Sequence, residues 1–156
     1  PCCALQNLSF RFTFLTPQKH LMHQQIFVNL PIENMARSQA FFRALGYDFN
    51  PQFTNDQGAC LVVGENLFVM LLVKSFYQTF TDKTIADART TSEVLVCFSC
   101  DSRVEVDALA TKAVAAGGTT PRPAQDLGFM YSQSFDDLDG HTWEFVHMVD
   151  ASKALG

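Results

Sequence analysis

The sequence predicts an α+β fold made of two βαβββ modules in tandem. Three observations carry this reading. The same order of periodic segments occurs twice along the chain. Each half holds one segment at helical spacing that stops at glycine, Gly46 in the first half and Gly117-Gly118 in the second. Landmarks also correspond in order: Leu30 with Phe98, Gly46 with Gly117, and Gly64 with Gly140.

The first half opens with an apolar strand, Gln25 to Leu30. A helix is expected from about Asn34 to Leu45, because Met35, Ser38, Phe41, Phe42 and Leu45 recur at helical spacing. Strands are then expected over Asp48–Phe53, Ala59–Val63 and Leu67–Val73. Turns at Asn55-Asp56-Gln57-Gly58 and Gly64-Glu65-Asn66 separate them.

The second half begins with the strand Val94–Cys100. Ser102-Arg103-Val104-Glu105 has the spacing of a capping box, which starts a helix carrying Val106, Leu109, Ala110, Ala113 and Val114. Strands are expected around Thr119–Arg122, Phe129–Phe135 and His141–Met148. Residues 24–73 and 93–149 thus form the two modules of a single domain, 23–150. A connector, 74–92, joins them, and its Phe76, Tyr77 and Phe80 suit a packed crossing segment or a lid.

Composition narrows the function. With 47% hydrophobic and 17% charged residues, the chain can bury a core and is neither disordered nor fibrous. Its net charge of -5 offers no basic surface, so neither nucleic acid nor an anionic membrane is an expected partner. No apolar run approaches the ~18 residues of a membrane span. The five cysteines do not form a disulfide framework, which favours a reducing cytoplasm. Cys97 and Cys100 lie three apart on a strand and so face opposite ways, unlike a paired redox or zinc motif.

Residues 1–22 read as an extension, either an added edge strand or a leader. Phe10, Phe12 and Phe14 alternate with polar residues as in a strand. Arg11 interrupts the apolar run and no small-residue cleavage site follows, which argues against a signal peptide. Residues 151–156 read as a tail.

The segment with the most chemical content is Phe135-Asp136-Asp137-Leu138-Asp139-Gly140-His141-Thr142-Trp143-Glu144-Phe145. It reads as a solvated acidic turn, a glycine, and a strand with one carboxylate among large apolar neighbours. Such a carboxylate serves as a ligand, a general base or a satisfied structural group, because a buried unpaired charge is costly. His20, His23, His141 and His147 have no spaced partners, so each reads as a surface or satisfied histidine. Asp136, Asp137 and Asp139 lack the spacing of a calcium loop.

A paired βαβββ plan with Asp-Leu-Asp-Gly-His-x-Trp-Glu near its end resembles the vicinal oxygen chelate superfamily. That group holds glyoxalase, bleomycin-resistance, fosfomycin-resistance and extradiol dioxygenase proteins. The segment from Phe27 through Asn34 to Phe42 is similar to its opening strand and helix, and the resemblance covers about Gln24 to Val149. It implies two curved sheets forming a cup around a ligand, and a homodimer whose cups are built within or between chains. It also implies four metal-ligand positions, which fall on Phe27, Phe68, Leu95 and Glu144. Phe and Leu carry no donor atom, so no metal is expected. A set drawn from Asn29, Cys97 and Glu144 is a poor substitute, since an amide is a weak ligand and the thiol must first ionise.

Strand alternation then fills in the cup. Phe27, Asn29, Phe68, Met70, Leu95, Cys97, Thr142 and Glu144 are the expected ligand-binding residues, with Ser99, Leu72 and Val146 sharing their faces. This is mostly apolar with a few polar points, as small-molecule sites are. The same large side chains could instead fill the cup as core. The leading expectation is a metal-free, cofactor-free glyoxalase/bleomycin-resistance-like protein binding a small, largely apolar molecule. Two alternatives stay open: a divergent lyase, isomerase or dioxygenase with Glu144 as its one catalytic candidate, and a structural dimer with a filled cup.

Overall fold

The computed structural model describes residues 23–149, so the extension 1–22 and the tail lie outside the described residues. The first module runs β1 (Ile26–Ile32), α1 (Met35–Leu45), β2 (Asp48–Asn50), β3 (Gly58–Gly64) and β4 (Leu67–Val73). A short turn of helix, α2 (Lys74–Tyr77), begins the connector. The second module runs β5 (Leu95–Ser99), α3 (Arg103–Ala115), β6 (Gln125–Asp126), β7 (Met130–Asp136) and β8 (Thr142–Met148). Each module forms its own four-stranded mixed sheet, in order β1-β4-β3-β2 and β5-β8-β7-β6. In both, the first strand pairs parallel with the last, and the remaining pairs are antiparallel. The duplication read from the sequence is therefore a duplication of topology.

The helices start and stop where their caps dictate. The Asn34 side chain accepts from the Arg37 amide at 2.9 Å, and Gly46 closes α1 in the left-handed region at φ 106°. Ser102 accepts from the Glu105 amide at 3.2 Å. The reciprocal half of the expected capping box is displaced by one residue, because the Glu105 carboxylate accepts from the Asp101 amide at 2.8 Å.

Two expected strands are shortened by proline. Pro51 has no N–H to give to a ladder, so Asp48–Phe53 pairs only as far as Asn50. Pro51–Phe53 turn instead as a 3₁₀ segment capped by the Asn50 side chain. Pro121 and Pro123 have the same effect on Thr119–Arg122. Thr119 makes one bridge to Asp136, and pairing resumes only at Gln125 and Asp126.

Both modules contribute to one core. Leu30 and Ile32 of β1, Leu61 of β3, and Val69 and Leu71 of β4 pack with Phe41, Phe42 and Leu45 of α1. The same cluster includes Val96 of β5, Val106 and Ala113 of α3, Phe135 of β7, and Trp143 and Phe145 of β8. Aromatic contacts join the halves through α1. Phe42 meets Trp143 edge-on at 4.9 Å, and Phe41 lies 6.1 Å from Phe135. Among the described residues no helix is long and apolar enough to cross a membrane.

Candidate functional site

Strand alternation fixes what the outer faces carry. Leu30 and Ile32 point into the shared core, so Phe27 and Asn29 point away from it. Phe68 and Met70 sit beside them in register, Phe27 with Phe68 and Asn29 with Met70. The two phenyl rings stack at 4.9 Å and 16°. They form one wall of an open cavity of about 520 Å³.

Four further residues line this cavity: Gln25, Asn50, Phe53 and Cys60. Sequence reasoning missed them, although two were within reach. Cys60 pairs with Met70 and Asn50 with Cys60, so extending the alternation across the sheet places both on this face. Phe53 was not legible, because the turn after Pro51 directs it. Among the described residues no Asp, Glu, Lys, Arg or His lines the cavity. Burial pushes the Cys60 thiol up, which keeps it neutral.

The second outer face carries the other expected residues. Leu95 pairs with Thr142 and Cys97 with Glu144, while Val96, Trp143 and Phe145 turn inward. Glu144 is half-buried in a cleft of about 30 Å³ with Arg122, Pro123, Gln125, Ser132 and Ser134. Thr142 donates to the Asp136 carboxylate at 2.7 Å, so its hydroxyl already has a structural partner. Burial first, and the Glu144 charge second, push the Cys97 thiol up. A thiol held protonated is a poor nucleophile and a poor metal ligand.

The expected site residues thus fall into two groups on two sheets, and no described cavity is lined by both. Phe27, Asn29, Phe68 and Met70 line one half-cup; Leu95, Cys97, Thr142 and Glu144 occupy the other. Both half-cups face away from the common core. The metal positions implied by the resemblance divide in the same way, Phe27 with Phe68 and Leu95 with Glu144. Three hydrocarbon side chains and one carboxylate do not fit a divalent ion. Among the described residues no three His, Cys, Asp or Glu side chains come together as a ligand set.

The acidic turn is a correction to the sequence reading. Asp137 and Asp139 are buried rather than solvated, at 9% and 6% exposure. The turn folds back over α1, and its carboxylates take up donors from both modules. Asp139 accepts from the Glu33 amide at 3.1 Å, from Arg37 at 2.6 Å and from the Ser38 hydroxyl at 3.0 Å. Asp137 accepts from the Asp139 and His141 amides and from the Trp143 indole at 3.0 Å. Burial nevertheless outweighs these bonds and leaves the Asp137 carboxyl above its ordinary range.

His141 is buried as well. Its Nε2 lies 2.7 Å from the Pro31 carbonyl, across the module boundary. Its Nδ1 lies 2.6 Å from Glu93, off the line of a good hydrogen bond. His147, read with it as surface or satisfied, places Nδ1 3.1 Å from the Cys100 carbonyl. The motif that suggested chemistry is an inter-module clamp, and Glu144 beyond it is the one acidic residue of the segment facing outward from β8.

Comparison with known proteins agrees with this geometry. Residues 24–64 match the family described as bleomycin resistance protein-like N-terminal. Curated proteins give no match. Among solved structures, a hypothetical protein from S. aureus is 26% identical, with a TM-score of 0.69, covering 81% of this chain and 95% of that one. A glyoxalase-related enzyme from Fulvimarina pelagi is 23% identical, with a TM-score of 0.67, covering 80% and 88%. The fosfomycin resistance protein FosX from Mesorhizobium loti is 14% identical, with a TM-score of 0.61, covering 87% and 99%. At these identities the last two speak for the fold alone.

Proposed function

Taking as premise that this chain carries the glyoxalase/bleomycin-resistance fold of the vicinal oxygen chelate superfamily, we propose that it binds a small, largely apolar molecule without a resident metal ion. The observation that carries this reading is the open cavity of about 520 Å³ on the first sheet. It is walled by stacked Phe27 and Phe68, and among the described residues amides and one neutral thiol supply its polar contacts. That is the make-up of a small-molecule pocket and not of a metal centre. A filled cup fits less well, because Phe27 is 49% exposed and Phe53 60% exposed.

The site is completed by a second copy of the chain. Each protomer presents two half-cups outward, so a closed cup forms when the first sheet of one protomer faces the second sheet of its partner. Phe27 and Phe53 on the first half-cup and Leu95 on the second are large apolar side chains left exposed, as expected of surfaces that a homodimer covers. The free thiols Cys60, Cys97 and Cys100 suit the cytoplasm.

Elemental analysis of protein purified without chelator tests the metal-free reading, and sedimentation equilibrium tests the dimer. Substoichiometric transition metal and the mass of two chains are expected. Stoichiometric zinc, nickel, manganese or iron would overturn the first claim, and a monomer at micromolar concentration the second.

A second reading, a divergent enzyme, is favoured by Glu144 alone. Among the described residues no donor is bonded to its half-buried carboxylate, so it remains available to a substrate. Loss of turnover in Glu144→Gln with retained fold would support that reading; weakened binding with no turnover in either protein would count against it.

A further inference from the structure

The lining of the first half-cup narrows the ligand further. We infer that the molecule it holds is a flat aromatic compound carrying no negative charge, laid against the Phe27–Phe68 pair. This rests on the proposal that the half-cup is a binding site and goes beyond it in naming the ligand's chemistry.

Three features of the cavity lead there. The first is the aromatic wall. Phe27 and Phe68 are register partners on adjacent strands, with rings nearly parallel at 16° and 4.9 Å apart. One side of this pair is open, since Phe27 keeps 49% of its surface exposed. A planar ring laid on it continues the offset stack, a geometry that aromatic pairs favour beyond simple area burial. A saturated ring of the same volume covers the same surface without that gain.

The second is the set of polar groups. Asn29, Asn50 and Gln25 line the cavity, and all are amides. The Asn50 oxygen is committed to the Gln52 amide at 2.9 Å, which leaves its NH₂ to donate. Asn29 stands beside Met70 in register and lines the same cavity as the two rings. Amides supply donors and acceptors together and match a neutral polar edge such as a carboxamide.

The third is charge. Among the described residues no cationic side chain lines the cavity to pair with an anion, and desolvating an unpaired carboxylate is costly. If the partner's second sheet closes the cup, it brings Glu144 and Arg122 together, one charge of each sign, so the charge argument rests on the first half-cup.

The test uses three compounds of one shape, titrated calorimetrically into the full chain: 2-naphthamide, its decahydro counterpart, and 2-naphthoate. We expect 2-naphthamide to bind roughly three- to tenfold tighter than the saturated amide, the range that aromatic pairing supplies. It should bind on the order of tenfold or more tighter than the carboxylate, which must shed its hydration. Phe27→Leu, at a half-exposed position where folding is not at risk, should abolish the preference for the aromatic over the saturated amide.

Equal binding of the saturated amide would overturn the aromatic claim and leave the small-molecule proposal standing. Equal binding of 2-naphthoate would overturn the charge claim. Silence from all three, while another apolar compound raises the melting temperature, would overturn this inference alone. Silence throughout a broad thermal-shift screen would overturn the binding proposal with it.

Discussion

Asp139→Ala is the sharpest test of how the two modules are held together. The carboxylate is 6% exposed and gathers the Glu33 amide, the Arg37 guanidinium and the Ser38 hydroxyl at 2.6–3.1 Å. These three donors belong to the first module and the acceptor to the second. Removal leaves each donor to find water. Ser38 is 4% exposed, so its hydroxyl bears close to the full cost of an unsatisfied buried group, about 1–3 kcal/mol. The Glu33 amide is partly wet and adds about 1 kcal/mol. The Arg37 side chain is 42% exposed, so its ion pair adds no more than about 1 kcal/mol after solvent screening.

The total is about 2–5 kcal/mol, which at roughly 3 °C per kcal/mol for a chain of this size lowers the melting temperature by about 6–15 °C. Trp143 is the one tryptophan of the chain and is fully buried, so its fluorescence reports unfolding directly. Asp139→Asn keeps one acceptor oxygen and should lose less. Coupling should appear in a double-mutant cycle with Ser38→Ala, since the two side chains are bonded. A drop of under about 2 °C for Asp139→Ala would show that water serves these donors, and the clamp argument would fail.

Three further outcomes follow from the same region. Gly140→Ala should destabilise by on the order of 2 kcal/mol or more, because φ is 94° and a Cβ would lie 2.8 Å from the Arg89 backbone nitrogen; an unchanged urea midpoint would contradict this. Asp137 has a folded-state pKa raised by burial above the ordinary 3.8, so the folded state holds its proton more tightly than the unfolded state does. Its contribution to stability is therefore greatest below pH 3.8 and declines as pH rises through the raised value. Asp137→Asn should remove that decline in urea titrations across this window, and an unaltered pH profile would refute it. Phe42→Ala should cost about 3–5 kcal/mol through the cavity left against Trp143, with a changed tryptophan emission in the folded state as the second readout.

Much of the fold was legible because it rests on local periodicity. Asn34, Gly46 and Ser102 mark helix ends through their own side chains or backbone freedom, and β4 lies where its apolar run lies. The errors at Pro51 and Pro121 came from weighing apolar alternation above the missing amide hydrogen. Strand parity was legible too, since Phe27, Phe68, Leu95 and Glu144 all lie on the faces that alternation assigned. Cys60 and Asn50 follow from the same rule carried one strand further.

What no local pattern contains is the relation between the modules. By itself the sequence determined the doubled βαβββ plan, the side of each strand on which each residue stands, and the absence of donor atoms at three of the four implied metal positions. The tertiary structure decided that both sheets turn the faces lined by Leu30 and Trp143 toward one core, leaving the two half-cups to point apart. It also decided that Asp137, Asp139 and His141 are buried clamps and not a solvated turn. The physical reason is the same in both cases. Alternation and capping depend on neighbours within a few residues, whereas burial of the acidic turn depends on Ser38 and Arg37, about a hundred positions away in the chain.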